Sequence, residues 1–342
     1  MSPRPTKMTI ALLSSVLFGL GFALATVAAM AAVVWAAGAL YFDLPGPAWS
    51  RRLGAILWIL AAVVAPFLFP FPAGAFVVAV GFALILAWWL RLRPRLERAW
   101  KPQLAVLPHA ICEGDKVTIH HVRNFDYRSE TDFTERYETR TYDLSQLRGL
   151  DLFLIYWSSP WMAHPILSFD FGDGGRICFT IETRQELSEG YSPIRGFYRQ
   201  FELIYVAADE RDAVRLRTNF RRGNNVYLYH LATPPDQPRA YFLDYVRRLN
   251  ELHVRPEWYH ALTSNCTTNI RTQRVARHRF PWDWRLLVNG FADKLLYDRG
   301  ALGRSLSFPE LKRRAHINER ARAAGAAADF SARIRAESAD QV

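Results

Sequence analysis

Cysteine is scarce in this sequence, acidic residues are almost missing from its first hundred positions, and the rest carries no dense basic stripe. Cys112, Cys178 and Cys266 are the three cysteines in 342 residues, too few and too scattered for a disulfide framework, and at least one must be unpaired. There is no CxxC pair and no HExxH, so no metal site is expected; His253, His260 and Cys266 would form one only at an unfamiliar spacing. Residues 1–100 hold eight Lys or Arg against Asp43 and Glu97, a net +6 of the chain's +11. Beyond them Arg alternates with Asp and Glu, which argues against nucleic acid as a partner and for a membrane surface.

What the sequence does contain is two long uncharged runs. Met8–Phe42 is 35 residues without a charge and Leu53–Leu90 is 38 more. A helix needs about 20 apolar residues to span a bilayer. The first run therefore predicts one long span, about 9–36, too extended for an ordinary cleaved signal peptide. Pro66 and Pro70-Phe71-Pro72 interrupt the second run and predict a helical hairpin, about 53–69 and 73–90. Residues 1–100 thus form a membrane anchor, and the roughly 240 that follow are ample for a domain with its own core, which argues against a transporter or channel. Orientation is contested. The Arg51-Arg52 loop and the cluster Arg91, Arg93, Arg95, Arg98 and Lys101 favour a cytoplasmic domain, whereas Arg4 and Lys7 favour an inside N-terminus, from which three spans lead outside.

After Pro102 the pattern changes to short β-rich runs: Lys116–Val122, Thr139–Leu144, Asp151–Trp157, Pro165–Phe171, Ile177–Thr183, Phe201–Val206 and Val226–Leu231. Helical spacing follows at Asp209–Phe220, Arg239–Leu252 and Asp283–Asp298. The expected fold is α+β, a mostly antiparallel sheet with packed helices over residues 101–305, trailed by a basic Ala/Arg-rich tail, 306–342, read as a solvated helix or frayed end.

Candidate chemistry centres on Trp258–Asn269. Ser264 or Asn265 can cap a helix and place Cys266 in its first turn, where free amides, the helix dipole and Arg271 and Arg274 favour a nucleophilic thiol; the bland alternative is a small buried hydrophobe. A nucleophilic cysteine needs a base. His164 opens the run to Phe171 directly after the stretch Ser158–Ala163, expected to be a turn, which would set the imidazole at a strand start facing a cleft. Leu167, Phe169 and Phe171 must share a face with Ile177, Phe179 and Ile181, and a three-residue loop Gly172–Gly174 then puts His164 opposite Glu182. That carboxylate would orient the imidazole and stabilise its cation, unless it only forms a salt bridge with Arg176 or Arg184. Arg123, Asn124 and Tyr127 offer phosphate or carboxylate binding, or simply line an exposed hairpin.

The segments NFDYRSETDF (124–133), RTYDLSQLRGLDLFLIYW (140–157), HPILSFDF (164–171), FTIETRQE (179–186), YRQFELIYVAADERD (198–212) and WYHALTSNCTTNIR (258–271) resemble the Lnb N-terminal periplasmic domain family, named for a bacterial lipoprotein N-acyltransferase. The resemblance covers about residues 100–300 and implies a permuted papain-like, NlpC-type cysteine fold with histidine ahead of cysteine. It implies a periplasmic domain anchored in the inner membrane. By that analogy Cys266 would attack a phospholipid or lipoprotein acyl ester and His164 would carry the proton; with the register and the polar stretch read above, the expected site is Cys266, His164 and Glu182, with Asn265, Thr267, Arg123, Asn124 and Tyr127 near the substrate, and no cofactor is expected. The alternatives are an envelope cysteine peptidase or amidase, and a non-catalytic membrane-anchored binding module.

Overall fold

The uncharged runs become helices in the computed structural model, which describes residues 7–157, 159–234, 236–272, 283–286 and 289–336. Helices α1 (Lys7–Asp43), α2 (Ala48–Leu68) and α3 (Ala73–Leu90) are each long and apolar enough to cross a membrane. Phe18, Leu24, Phe67 and Phe76 are exposed, the outward apolar surface that lipid requires. Trp58 holds the helices together: its indole donates to the Val33 carbonyl at 2.9 Å. Its ring lies where a Cβ on residue 81 would come within 2.6 Å, so Gly81 permits the approach. As the expected span to about 69 requires, α2 runs through Pro66 and ends at Leu68. The turn occurs at Phe69–Pro72, where two prolines fall within three residues.

A second unit comprises residues 94–197 and 201–342. After a short turn of helix, α4 (Pro102–Ala105), come ten strands and two further helices: β1 (His109–Glu113), β2 (Lys116–Arg123), β3 (Asp126–Tyr127), β4 (Phe133–Thr134), β5 (Tyr137–Asp143), β6 (Gly149–Trp157), β7 (Ser159–Asp170), β8 (Arg176–Arg184), β9 (Glu202–Ala208), α5 (Glu210–Arg215), β10 (Asn225–His230) and α6 (Asp236–Val254). The main sheet runs β1-β2-β9-β8-β7-β6-β10, with β5 also on β2 and β3–β4 apart. Among the described residues, only the β2–β9 pair is parallel. All seven strands expected from the sequence are present.

The sheet is covered on both faces, which is why β6 is almost continuously apolar. On one face Leu167, Phe169, Phe171, Ile177 and Phe179 pack under α6, with Phe242 about 5–6 Å from the rings of Phe169, Phe171 and Phe179. On the other, Ile155, Ile166, Cys178 and Val206 pack under α5 and the C-terminal segment.

That segment is not a solvated tail. Helices at Phe308–Ala315, Asn318–Ala324 and Phe330–Arg333 bury Leu311, Ile317, Ala321, Phe330 and Ile334. The apolar positions are widely spaced among Arg and Ala and change helix every few residues, so no single periodicity announces them. Arg335 clamps the end, bonding Asp151 at 2.8 and 3.0 Å and Glu210 at 2.5 and 2.7 Å. Burial works against the Asp151 carboxylate, and His230, Arg335 and Arg176 overcome it, holding its pKa at about 2. Arg335→Ala leaves two buried carboxylates without that partner and is expected to cost about 3–5 kcal/mol in denaturant unfolding. Arg333→Ala, which loses only an exposed pair with Asp329, should cost about 0.5 kcal/mol or less.

Candidate functional site

Helix α7 (Cys266–Thr272) begins where a side chain can satisfy its first amides. Asn265 Oδ1 accepts from the backbone N–H groups of Thr267 (3.0 Å) and Thr268 (2.8 Å), and the Thr268 hydroxyl accepts from the Asn265 N–H at 2.8 Å. This reciprocal cap offsets the weak helix preference of two β-branched residues and makes Cys266 the first helical residue. Asn269 Nδ2 ties the turn down by donating to the Asn265 carbonyl at 2.9 Å. The Asn-Cys-Thr-Thr-Asn run is thus a self-bracing support for one thiol.

β7 and β8 supply the imidazole and the carboxylate. Their register joins Ile166 with Thr180 and Phe169 with Ile177, with Phe171 bonded to Gly175, as the hydrophobic alternation predicts. His164 and Glu182 lie two residues beyond the last pair, on the same face as Thr180. His164 Nε2 is 3.3 Å from Glu182 Oε1 and 2.6 Å from Thr180 Oγ1, whose hydroxyl donates to the same carboxylate oxygen at 3.0 Å. Arg217 also donates to Glu182. Cys266 lines the same cleft as His164 and Glu182 and interacts electrostatically with the imidazole. One detail differs from the sequence expectation: Ser159–Ala163 already belongs to β7, Ser158 lies outside the described residues, and His164 sits on an interior strand. It reaches a cleft because pairing with β8 stops at Ile166.

Electrostatics favour a charged pair. Burial opposes the imidazolium, but Glu182 and Cys266 outweigh it and lift His164 to about 9. Burial likewise opposes the Glu182 carboxylate, while His164 and Arg217 hold it well below the usual carboxylate range.

A residue that sequence reasoning passed over completes the cluster. Asn289 Oδ1 accepts from the Ala163 N–H at 2.9 Å, and its Nδ2 donates to Thr267 Oγ1 at 3.0 Å and lies 3.9 Å from Cys266 Sγ. The expected helix over Asp283–Asp298 hides it. The described parts of that stretch are instead tight turns at Trp284–Leu286 and Asn289–Phe291 and a helix at Ala292–Asp298. The Asn289-Gly290 dipeptide was the available signal. A Cβ at position 290 would meet the Pro160 carbonyl oxygen at 2.1 Å, so glycine is what lets this turn press against β7.

A cleft of about 520 Å³ opens over Cys266, His164 and Glu182. Tyr259, Trp157, Lys101, Arg217 and Arg221 also line it. Of the other expected binding residues, Arg123 lines the cleft, but its guanidinium is taken up by Asp212 at 2.7–3.1 Å and by the Gln103 carbonyl. Asn124 bonds Glu138 at 2.8 Å and receives Arg211, and Tyr127 packs with Phe125 and Phe133. Each has a structural partner away from the thiol. Glu182 pairs with neither Arg176, which bonds Asp151 and Asp170, nor Arg184, which bonds the Leu104 and Ala105 carbonyls. His253 packs tilted against His109, His260 accepts from Leu262 and Thr263, and Cys266 lines the cleft with His164, so the three potential zinc ligands have separate surroundings. Arg274 and the Arg271 side chain lie outside the described residues.

Compared with known proteins, residues 133–290 match the family model described as the Lnb N-terminal periplasmic domain. No curated protein and no solved structure matches the chain.

Proposed function

Because this chain carries an Lnb N-terminal periplasmic domain behind three membrane-spanning helices, we propose that it is a membrane-anchored cysteine acyltransferase or acyl hydrolase acting on phospholipid or lipoprotein acyl groups. The periplasmic placement resolves the charge conflict in favour of the inside N-terminus. One observation carries the catalytic reading: Cys266, the first residue of a capped helix, lines one cleft with His164 and Glu182, whose carboxylate lies 3.3 Å from the imidazole. A buried structural cysteine has no need of that arrangement. Cys178 shows the contrast, since it packs among Ile155, Ile166 and Val206 within the sheet.

The chemistry follows from the geometry. The Cys266 thiolate attacks the ester carbonyl carbon, forming a C–S bond and an oxyanion. Collapse breaks the C–O bond, and the departing alkoxide takes the proton of the His164 imidazolium, leaving a thioester and an alcohol. Neutral His164 then accepts a proton from an incoming amine or water as it attacks the thioester. Breaking the C–S bond releases an amide or acid and restores the ion pair. Glu182, directly and through Thr180, holds the imidazole by Nε2 and leaves Nδ1 for the thiol.

Asn289 Nδ2, 3.9 Å from Cys266 Sγ, is the side-chain donor placed for the oxyanion, since the Thr267 and Thr268 N–H groups are already taken up by Asn265 Oδ1. Asn289→Ala is expected to reduce turnover about 10²–10³-fold with little change in KM. Asn289→Asp, which keeps the acceptor for Ala163 but removes the donor, should fall as far; full activity in Asn289→Asp would assign the residue to positioning alone. The test of the function itself is the adduct left on Cys266 by phospholipid vesicles or by envelope peptides. An acyl adduct supports the proposal, and a peptidyl adduct makes the protein an amidase.

A further inference from the structure

A second cavity, about 320 Å³, lies beside the thiol and has no part in the chemistry above. Its wall is mostly apolar, with Leu152 and Leu154 of β6, Leu167 of β7, Ile270 of α7, and Leu295 and Leu296 of the helix at Ala292–Asp298, while Thr233, Gln237, Tyr241 and Arg299 add a few polar groups. Thr267 and Asn289 also line it, and these are the two side chains that touch Cys266 Sγ at 3.9 Å. The polar cleft and the apolar cavity therefore adjoin the same small cluster, one through Cys266 and the other through its immediate neighbours.

We propose that this cavity is an acyl-chain site, which receives the hydrocarbon tail of the group carried by Cys266 while the polar cleft takes the leaving alcohol or the incoming acceptor. The inference rests on the cysteine reading and gives the acyl chain a place and a length preference. A peptide backbone would bring amide groups into a wall with few partners for them, which is costly, and a single apolar side chain would leave part of the volume unfilled. A hydrocarbon tail needs no hydrogen-bond partner and gains from every methylene placed there. The polar side chains of the opposite cleft, Lys101, Arg217, Arg221 and Glu182 among them, suit a polar headgroup or acceptor for the converse reason.

The covalent step is unchanged: the thiolate displaces the alkoxide from the acyl carbon, and the proton passes from His164 to the alcohol. The cavity acts only on which acyl group arrives. It should make acylation of Cys266 faster for long chains than for short ones, after correction for the reactivity of each ester toward a free thiol.

The experiment uses the full chain in digitonin with p-nitrophenyl acetate and p-nitrophenyl dodecanoate, following the rate at which each acylates Cys266 by intact-protein mass spectrometry. In the unaltered chain dodecanoate should exceed acetate by at least about tenfold after that correction. Ala292→Phe, placing a ring on the cavity wall, should lower the dodecanoate-to-acetate ratio by about tenfold or more. A flat chain-length profile in the unaltered chain overturns the inference without needing any variant. A folded Ala292→Phe chain that keeps the native ratio overturns it too. If acetate acylates Cys266 and dodecanoate has no advantage, the nucleophile stands and the acyl-chain site falls; if neither ester acylates Cys266, both fall.

Discussion

Cys266→Ala is expected to lower acyl turnover by at least about 10³-fold while the protein folds as before. The substitution removes one sulfur at the start of α7 and leaves untouched the Asn265 cap that holds the helix. Catalysis through a thioester has no substitute nucleophile at this position, so the residual rate should approach what the oxyanion donors alone provide. Cys112→Ala and Cys178→Ala should keep turnover, because the first cysteine is exposed away from the cluster and the second is fully buried in the sheet. Turnover in Cys266→Ala above about a tenth of the native rate would remove the nucleophile from the account.

The second large effect is a pH dependence set by His164. Its pKa is raised to about 9, so the imidazolium that protonates the leaving alkoxide persists through neutral pH and disappears as pH rises through about 9. The rate profile should therefore fall on its alkaline side near that value. Glu182→Gln removes the charge that raises it and should move the alkaline limb down by a unit or more. His164→Ala should abolish the limb and cost about 10²–10⁴-fold in rate. The same group links to stability. Since the folded value exceeds the unfolded one, about 6.5, the His164 contribution is full below that pH and is lost as pH rises through about 9. The unfolding free energy of the native chain relative to His164→Ala should decline over that window. An alkaline limb that survives unchanged in His164→Ala would break the pairing with Cys266.

How much of this was legible beforehand depended on periodicity and register. Alternation in Leu167–Phe171 and Ile177–Ile181 determined the β7–β8 pairing, because a slip of one residue would have turned the three apolar side chains of one strand to the wrong face. That pairing alone placed Glu182 by His164. The cap of α7 was readable from Asn265 and the residues after it. Thr180 was also derivable, being two residues from Glu182 on the same face, but a threonine in a strand gives no signal that its hydroxyl bridges two other side chains. Asn289 depends on a turn whose contact with β7 is long-range and requires the missing Cβ of Gly290. Arg123, Asn124 and Tyr127 looked like ligand-binding residues because sequence shows their donors but not Asp212, Glu138 or Phe133 beside them. The C-terminal segment looked solvated for a similar reason, since only the folded sheet reveals what Ile317 and Phe330 cover.

The central claim is that Cys266 carries an acyl group during the reaction, and intact-protein and peptide mass spectrometry of the full chain after incubation with phospholipid vesicles tests it most directly. The account predicts a hydroxylamine-labile acyl mass on the peptide containing Cys266, absent from Cys266→Ala and strongly reduced in His164→Ala. An unmodified Cys266 after incubation that releases fatty acid or transfers an acyl group, or a label on that peptide undiminished in His164→Ala, would contradict it.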